Sequence, residues 1–293
     1  MKRLFLPCVF CIFIFTATAQ ILVKLPEPSK YAKVEQHIGF TEISIEYSRP
    51  NIGGRNLFGE MIPYGKIWRT GANANTKIQF SKDVFLEGNL LKKGKYALYT
   101  IPDKDSWTIV INSDTTLWGH YGYKDSLDVV RFKVTPTTSS NNIESMLFSF
   151  RDLTQLGGFI DLEWGNFQVP IKLEIDWESQ DQEIISQIDS VLALPLDRDR
   201  PTIVAYDYLR SAMYYLENDY DLEKALTWIN KAIELELVSY FPLYKAEILA
   251  KLKRYSEALE ASKQGLAIFM KTGKNKEWIW RYEKQIEEYS KKL

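Results

Sequence analysis

The apolar residues change their period at Trp177, and few single domains accommodate both patterns. Upstream, Ile43, Ile45 and Tyr47 alternate with polar neighbours, and Val169, Ile171, Leu173 and Ile175 alternate with Lys172, Glu174 and Asp176. Successive side chains of an extended chain point to opposite faces, so a period of two marks a half-buried strand. Further short runs at 77–80, 84–87, 95–101, 107–111, 129–134, 146–150 and 159–164 are divided by the turn pairs Gly88-Asn89, Lys93-Gly94, Pro102-Asp103 and Gly165-Asn166. Flanked by Trp164 and Phe167, Gly165-Asn166 is expected to close a two-residue hairpin. Many short strands without intervening helices predict an antiparallel β-sandwich or barrel.

Downstream of Trp177 glycine nearly disappears and the period lengthens. Ile184, Ile185, Ile188, Val191 and Leu192 mark a first helix ended by Pro195. A charged stretch, 196–201, leads to Pro201, which suits the first turn of a helix. Helices are expected near 202–217, 222–236, 242–252, 255–270 and 275–291. The segments Glu223-Lys224-Ala225-Leu226 and Ser256-Glu257-Ala258-Leu259 correspond, with Ala225 and Ala258 lying 33 residues apart. Ala225, Ile229 and Ala232 follow the spacing of the second helix of a tetratricopeptide repeat, where paired helices approach closely. Residues 200–270 thus resemble tetratricopeptide repeats, although Ser262 and Gly265 stand where the first unit has Ile229 and Ala232. An unrelated antiparallel bundle is the alternative. Two such units are fewer than the roughly three that usually stand alone, so flanking helices are expected to complete the core.

The fold class is therefore two-domain, β then α. A signal peptide is expected over 1–19, a β domain over 20–177, a connecting helix and linker over 178–200, and helical hairpins over 201–293. The leader rests on basic Lys2 and Arg3, an apolar run over 4–15, and Ala17 and Ala19 in the small-x-small pattern before Gln20. That run is shorter than the roughly 20 residues of a membrane span, so export with cleavage near Ala19/Gln20 is the expectation. Both cysteines, Cys8 and Cys11, would leave with the leader, and with them any disulfide or thiolate chemistry. Without Lys2 and Arg3 the chain carries 35 basic against 38 acidic residues, a net charge of −3. That balance gives no field for nucleic acid.

Chemistry concentrates between Tyr47 and Thr76: Tyr47-Ser48-Arg49-Pro50, Gly53-Gly54-Arg55, Phe58-Gly59, Pro63-Tyr64-Gly65 and Trp68-Arg69-Thr70-Gly71-Ala72-Asn73. With Lys95-Tyr96-Ala97-Leu98-Tyr99-Thr100-Ile101-Pro102, Trp107-Thr108 and Trp118-Gly119, this run resembles a bacterial family known as domain of unknown function 2911, over about 26–175. The resemblance implies an exported bacterial protein whose β domain often stands beside a helical-repeat tail. It implies no particular activity.

The residues themselves suggest a binding surface. Arg49, Arg55 and Arg69 suit bidentate pairing with carboxylate or phosphate. Tyr64 and Trp68 suit stacking, and Asn73 and Asn75 amide hydrogen bonds. A second aromatic cluster, Trp118, His120, Tyr121 and Tyr123, with loop-forming Gly119 and Gly122, is expected to line the same end as Trp68. The candidate ligand-binding residues are thus Arg49, Arg55, Tyr64, Trp68, Arg69, Asn73 and Trp118. The alternative is architectural: a long ordered loop must satisfy its backbone, and Arg and Asn do so by bonding carbonyls and amides while Trp plugs the end of the sandwich.

Catalytic patterns are missing from the sequence. His37 and His120 are too few for a zinc site, and neither G-x-S-x-G, H-E-x-x-H nor a phosphate loop occurs. No catalytic residue, metal or cofactor is assigned. Glu60, Asp161 and Glu163 remain as carboxylates for a glycosidase-like alternative acting on carbohydrate or peptidoglycan. The leading expectation is a non-enzymatic envelope protein: a small polar ligand at the loop, and a protein or peptide partner on the helical repeats.

Overall fold

A computed structural model describes residues 25–197, 199–272 and 276–293; the expected leader and its cleavage position lie outside them. The chain separates into two compact units that divide between Asp176 and Trp177, where the apolar period changes.

Among the described residues the first unit holds ten strands: β1 (Lys30–Ile38), β2 (Thr41–Arg49), β3 (Thr76–Phe80), β4 (Val84–Leu86), β5 (Asn89–Leu91), β6 (Gly94–Ile101), β7 (Trp107–Asn112), β8 (Asp128–Val134), β9 (Thr137–Arg151) and β10 (Gly157–Ile175). They form two open antiparallel sheets, ordered β1-β2-β3-β6-β7-β8 and β5-β4-β10-β9. Each sheet keeps two edge strands, so the unit is a sandwich and not a closed barrel. The alternating positions fill the space between the sheets. Ile43, Ile45, Ile78, Leu98, Ile109 and Ile111 come from one sheet, and Met146, Ile160, Ile171 and Leu173 from the other, all essentially without exposure. Tyr47 ties the layers: its ring meets Phe148 edge-on at 4.9 Å, and its hydroxyl accepts from the Phe148 N–H at 3.0 Å.

One local expectation is corrected. Gly165-Asn166 does not close a hairpin; both lie inside the 19-residue strand β10, and Gly165 adopts φ +63°. The register against β9 shifts on both sides of Gly165, which is a bulge. A glycine needed for positive φ reads alike in a turn and in a bulge, and the partner strand decides which forms.

The second unit comprises α1 (Trp177–Leu192), α2 (Pro201–Glu217), α3 (Leu222–Leu235), α4 (Phe241–Lys251), α5 (Tyr255–Thr272) and α6 (Lys276–Ser290). Pro201 opens α2, and the Asp221 side chain caps α3 by accepting from the Lys224 N–H at 3.0 Å. The most extensive contacts join α2 to α3, α4 to α5 and α5 to α6. Ala225, Ile229, Ala232 and Ala258 are fully buried. Helix α1 is held by Asp181, which accepts from the hydroxyls of Tyr214 and Tyr220, and Ile188 and Leu192 pack on the common core.

The two departures from the repeat spacing have one cause, the docking of α6 on α5. The Ser262 hydroxyl reaches Gln285 Oε1 at 3.0 Å, and a Cβ on Gly265 would lie 2.5 Å from the Tyr282 ring. That ring is fully buried, and its hydroxyl donates to the Ser239 carbonyl at 2.7 Å, so it has little freedom to retreat. Mid-helix Gly→Ala normally stabilises by about 1 kcal/mol. Gly265→Ala is expected to reverse that sign, destabilising the helical unit by roughly 1–3 kcal/mol through overpacking. Urea denaturation followed by far-ultraviolet circular dichroism measures it; a stabilised variant would disprove the close approach.

Candidate functional site

Between β2 and β3 the chain runs from Pro50 to Asn75 with only isolated bridges to neighbouring segments. Its backbone groups must find partners elsewhere. The Ile52 N–H donates to the Glu144 carbonyl and the Gly53 N–H to the Glu144 carboxylate, each at 2.9 Å. The Gly65 N–H donates to the Pro102 carbonyl at 2.9 Å, and Trp68 exchanges backbone bonds of 2.8 and 3.0 Å with Thr100. Arg49 and Arg55 belong to this bracing. Arg49 Nε donates to the Met146 carbonyl at 2.8 Å, and Arg55 donates to the carbonyls of Ile52 at 2.8 Å and Asn51 at 2.6 Å.

Trp68 is 5 % exposed and closes the end of the sandwich. Its ring stacks on Trp164 at 5.8 Å, and its indole N–H donates to the Gly71 carbonyl at 3.1 Å. The turn that follows is tight. Thr70 is buried at φ +55°, a left-handed conformation costly for a β-branched residue. Its hydroxyl bonds Thr100 Oγ1 at 3.1 Å, and its carbonyl accepts from the Thr76 hydroxyl at 2.6 Å. At Gly71 (φ +152°) a Cβ would meet the Ser48 carbonyl at 3.0 Å. Asn73, at φ +57°, donates through Nδ2 to the Ser29 carbonyl and Ser48 Oγ. These constraints fix the backbone on both sides of Arg69.

A second loop, 113–127, comes alongside. The Asn75 N–H donates to the Leu117 carbonyl at 3.2 Å, and Ala74 bridges Trp118. The loop's return to β8 is pinned by Tyr123, whose hydroxyl donates to both Asp128 oxygens at 2.9 and 2.8 Å and accepts from Arg131 Nη2 at 2.6 Å. Burial and the Asp128 carboxylate push the Tyr123 phenol up to about 12, so it remains a donor near neutrality. Gly119 permits the approach: a Cβ there would lie 3.1 Å from Arg69 Nη1.

Between the loops opens a cavity of about 710 Å³. Pro28, Pro50, Met61, Ile62, Pro63, Ile67, Trp68 and Trp164 form its apolar wall, and its polar lining includes Arg55, Lys66, Arg69, Asn73 and His120, with no acidic residue. Two of these groups carry orphaned atoms: Arg69 Nε and His120 Nδ1 are buried without a hydrogen-bond partner among the described residues. Arg131 and Arg151 pair with Asp128 and Asp161, and Arg49 and Arg55 hold carbonyls. Arg69 has neither kind of partner among the described residues, although an Nε–H drawn from water is costly to leave unmatched.

Of the sequence-predicted residues, Arg55, Trp68, Arg69 and Asn73 line the cavity. Arg49 and Tyr64 do not; Tyr64 packs beneath Gly59, where a Cβ would come within 2.9 Å of its ring. Trp118 joins the neighbouring loop through its backbone, but its side chain is 63 % exposed and outside the lining. Lys66 and Trp164 were missed, as was His120 as a ligand contact. His120 sits in the aromatic cluster noted in sequence, which offered the one available signal.

The fold and site define a two-sheet β domain with a ligand-sized cavity at one end of the sandwich. Residues 29–173 match the family described as "Protein of unknown function (DUF2911)", and the β domain belongs to it. No curated protein and no solved structure matches the chain.

The two arginines at opposite ends of this motif should behave differently. Arg49→Ala orphans the Met146 and Ser145 carbonyls and is expected to cost roughly 1–3 kcal/mol of stability. Arg69→Gln removes no bond within the fold and should leave stability within about 0.5 kcal/mol of wild type or raise it. Urea denaturation of both variants decides, and equal losses would make Arg69 another structural brace.

Proposed function

We propose that the chain is an exported, non-enzymatic binding protein whose β domain takes a small polar ligand bearing an anionic group. The observation that carries this is Arg69, held in a cavity wall with no partner among the described residues. A volume near 710 Å³ falls within the range of small-molecule sites, and predominantly apolar walls with few polar groups are their usual composition. Export rests on the leader sequence, Lys2 to Ala19. A partner for the helical unit rests on its serial helix pairs, an arrangement that commonly presents a binding face. No helix among the described residues is long and apolar enough to cross a membrane.

The hydrolase alternative has less support. None of Glu60, Asp161 and Glu163 lines the cavity. Glu60 accepts from Asn56 at 2.8 Å, Asp161 from Arg151 at 2.6 Å and Gln168 at 2.8 Å, and Glu163 from Ser149 at 2.8 Å. These pairings suit roles in architecture better than a carboxyl pair across one cleft.

The test uses protein recovered from the periplasm of a bacterial host given the full-length sequence, with mass spectrometry expected to place its N-terminus at Gln20. A thermal-shift screen of sugars, muropeptides, short peptides and organic anions is run on wild type and Arg69→Gln. A ligand at about 100 times its dissociation constant adds roughly 2.7 kcal/mol, an obvious shift. Anions should raise the wild-type transition and leave the variant unmoved. A flat screen in both, or release of product from a sugar or muropeptide, would overturn the proposal.

A further inference from the structure

The cavity's chemistry narrows the ligand class, an inference that rests on the binding function just proposed. One guanidinium is free, Arg69; its neighbour Arg55 is committed to the carbonyls of Ile52 and Asn51. The second orphan, His120 Nδ1, comes from the adjacent loop, which Gly119 brings against Arg69. With Lys66, also in the lining and without a partner among the described residues, these side chains supply enough donors for one planar carboxylate with two oxygens.

A phosphate group would call for more. Dianions are held at helix N-termini or by runs of free backbone N–H groups. The described β domain offers only a three-residue 3₁₀ turn, Asp125–Leu127, which is not in the lining. In the turn around Arg69 the amides of Ala72 and Thr76 are bonded to the carbonyls of Ser48 and Arg69, whereas those of Gly71 and Asn73 have no partner among the described residues, so a phosphonate probe decides between the two anions. The hydroxyls of Thr70 and Thr76 bond within the turn, and the lining keeps one hydroxyl, that of Ser29, too few to read a sugar ring.

The rest of the wall is apolar and aromatic. Met61, Ile62 and Ile67 lie with the stacked pair Trp68 and Trp164, which favours a hydrocarbon or aromatic body over a heavily hydrated one. We infer that the ligand is a small amphipathic carboxylate, its carboxylate on Arg69 and His120 and its apolar body between Met61, Ile67 and the Trp68–Trp164 stack. Arg69 is the principal determinant of charge, and His120 contributes the second donor.

Isothermal titration of the chain lacking its leader tests this with matched probes: 3-phenylpropionate, 3-phenylpropionamide and 2-phenylethylphosphonate, together with octanoate and octanamide. At least one carboxylate should bind, and its amide should bind roughly 10- to 100-fold more weakly, the factor that loss of a charge-assisted hydrogen bond corresponds to. Arg69→Gln should remove that preference while leaving the amide's affinity unchanged, and His120→Ala should reduce it in part. Phosphonate binding tighter than carboxylate, equal affinity for acid and amide, or no binding by any probe to the folded protein would overturn the inference. The broader binding function fails separately: an anion of another class that stabilises wild type but not Arg69→Gln would keep that function and discard only the amphipathic carboxylate. Silence from every probe and from the wider screen would discard both.

Discussion

The β domain depends on how one long connection satisfies its own backbone. From Pro50 to Asn75 the chain forms no regular ladder, yet it crosses the end of a sandwich whose interior is largely apolar. Partners are borrowed from Glu144 and Met146 around β9, from Thr100 and Pro102 around β6, and from Leu117 in the adjoining loop. Trp68 then seals the interior against Trp164. Once these attachments hold, the turn through Thr70, Gly71 and Asn73 has a single conformation, including a left-handed threonine that an isolated peptide would avoid. Arg69 leaves that turn on the cavity side. Its freedom from partners is therefore a consequence of neighbours fixed by other bonds.

Architecture and binding divide the same residue types between them. Arg55 answers carbonyls of the loop itself, and Arg49 and Asn73 bond carbonyls and a hydroxyl of neighbouring segments, as an architectural account of the motif requires. Arg69 and His120 answer nothing among the described residues, as a binding account requires. The two accounts stood as alternatives in the sequence because both draw on arginine, asparagine and tryptophan. In the folded chain they apply to different side chains of one loop.

What was legible in the sequence follows the same division. Strand β2 and the end of β10 were readable because one face of each is buried and the other wet, as were the helices from Pro201 onward. The first part of β9, Thr137-Thr138-Ser139-Ser140-Asn141-Asn142, was not. It is mostly exposed and carries no alternation, and only pairing with β10 makes it a strand. Gly165 was read as a turn because a bulge and a hairpin ask the same φ of glycine. Ser262 and Gly265 looked like decay of a repeat, whereas α6 packs against both positions. For the site, sequence placed the loop and its chemistry but not the assignment. Whether an arginine braces or waits depends on carbonyls nearly a hundred residues away, such as Met146 beside Arg49.

The central claim, that Arg69 is held ready and unpaired, is open to direct observation through the arginine Nε–H signals of the isotope-labelled protein. Before ligand is added, the Arg69 signal should show no coupling across a hydrogen bond, unlike those of Arg49 and Arg151. On addition of 3-phenylpropionate it should move while the Arg49 and Arg151 signals stay in place. An Arg69 signal already coupled to an acceptor in the free protein, or one that stays still while the carboxylate binds, would contradict the account.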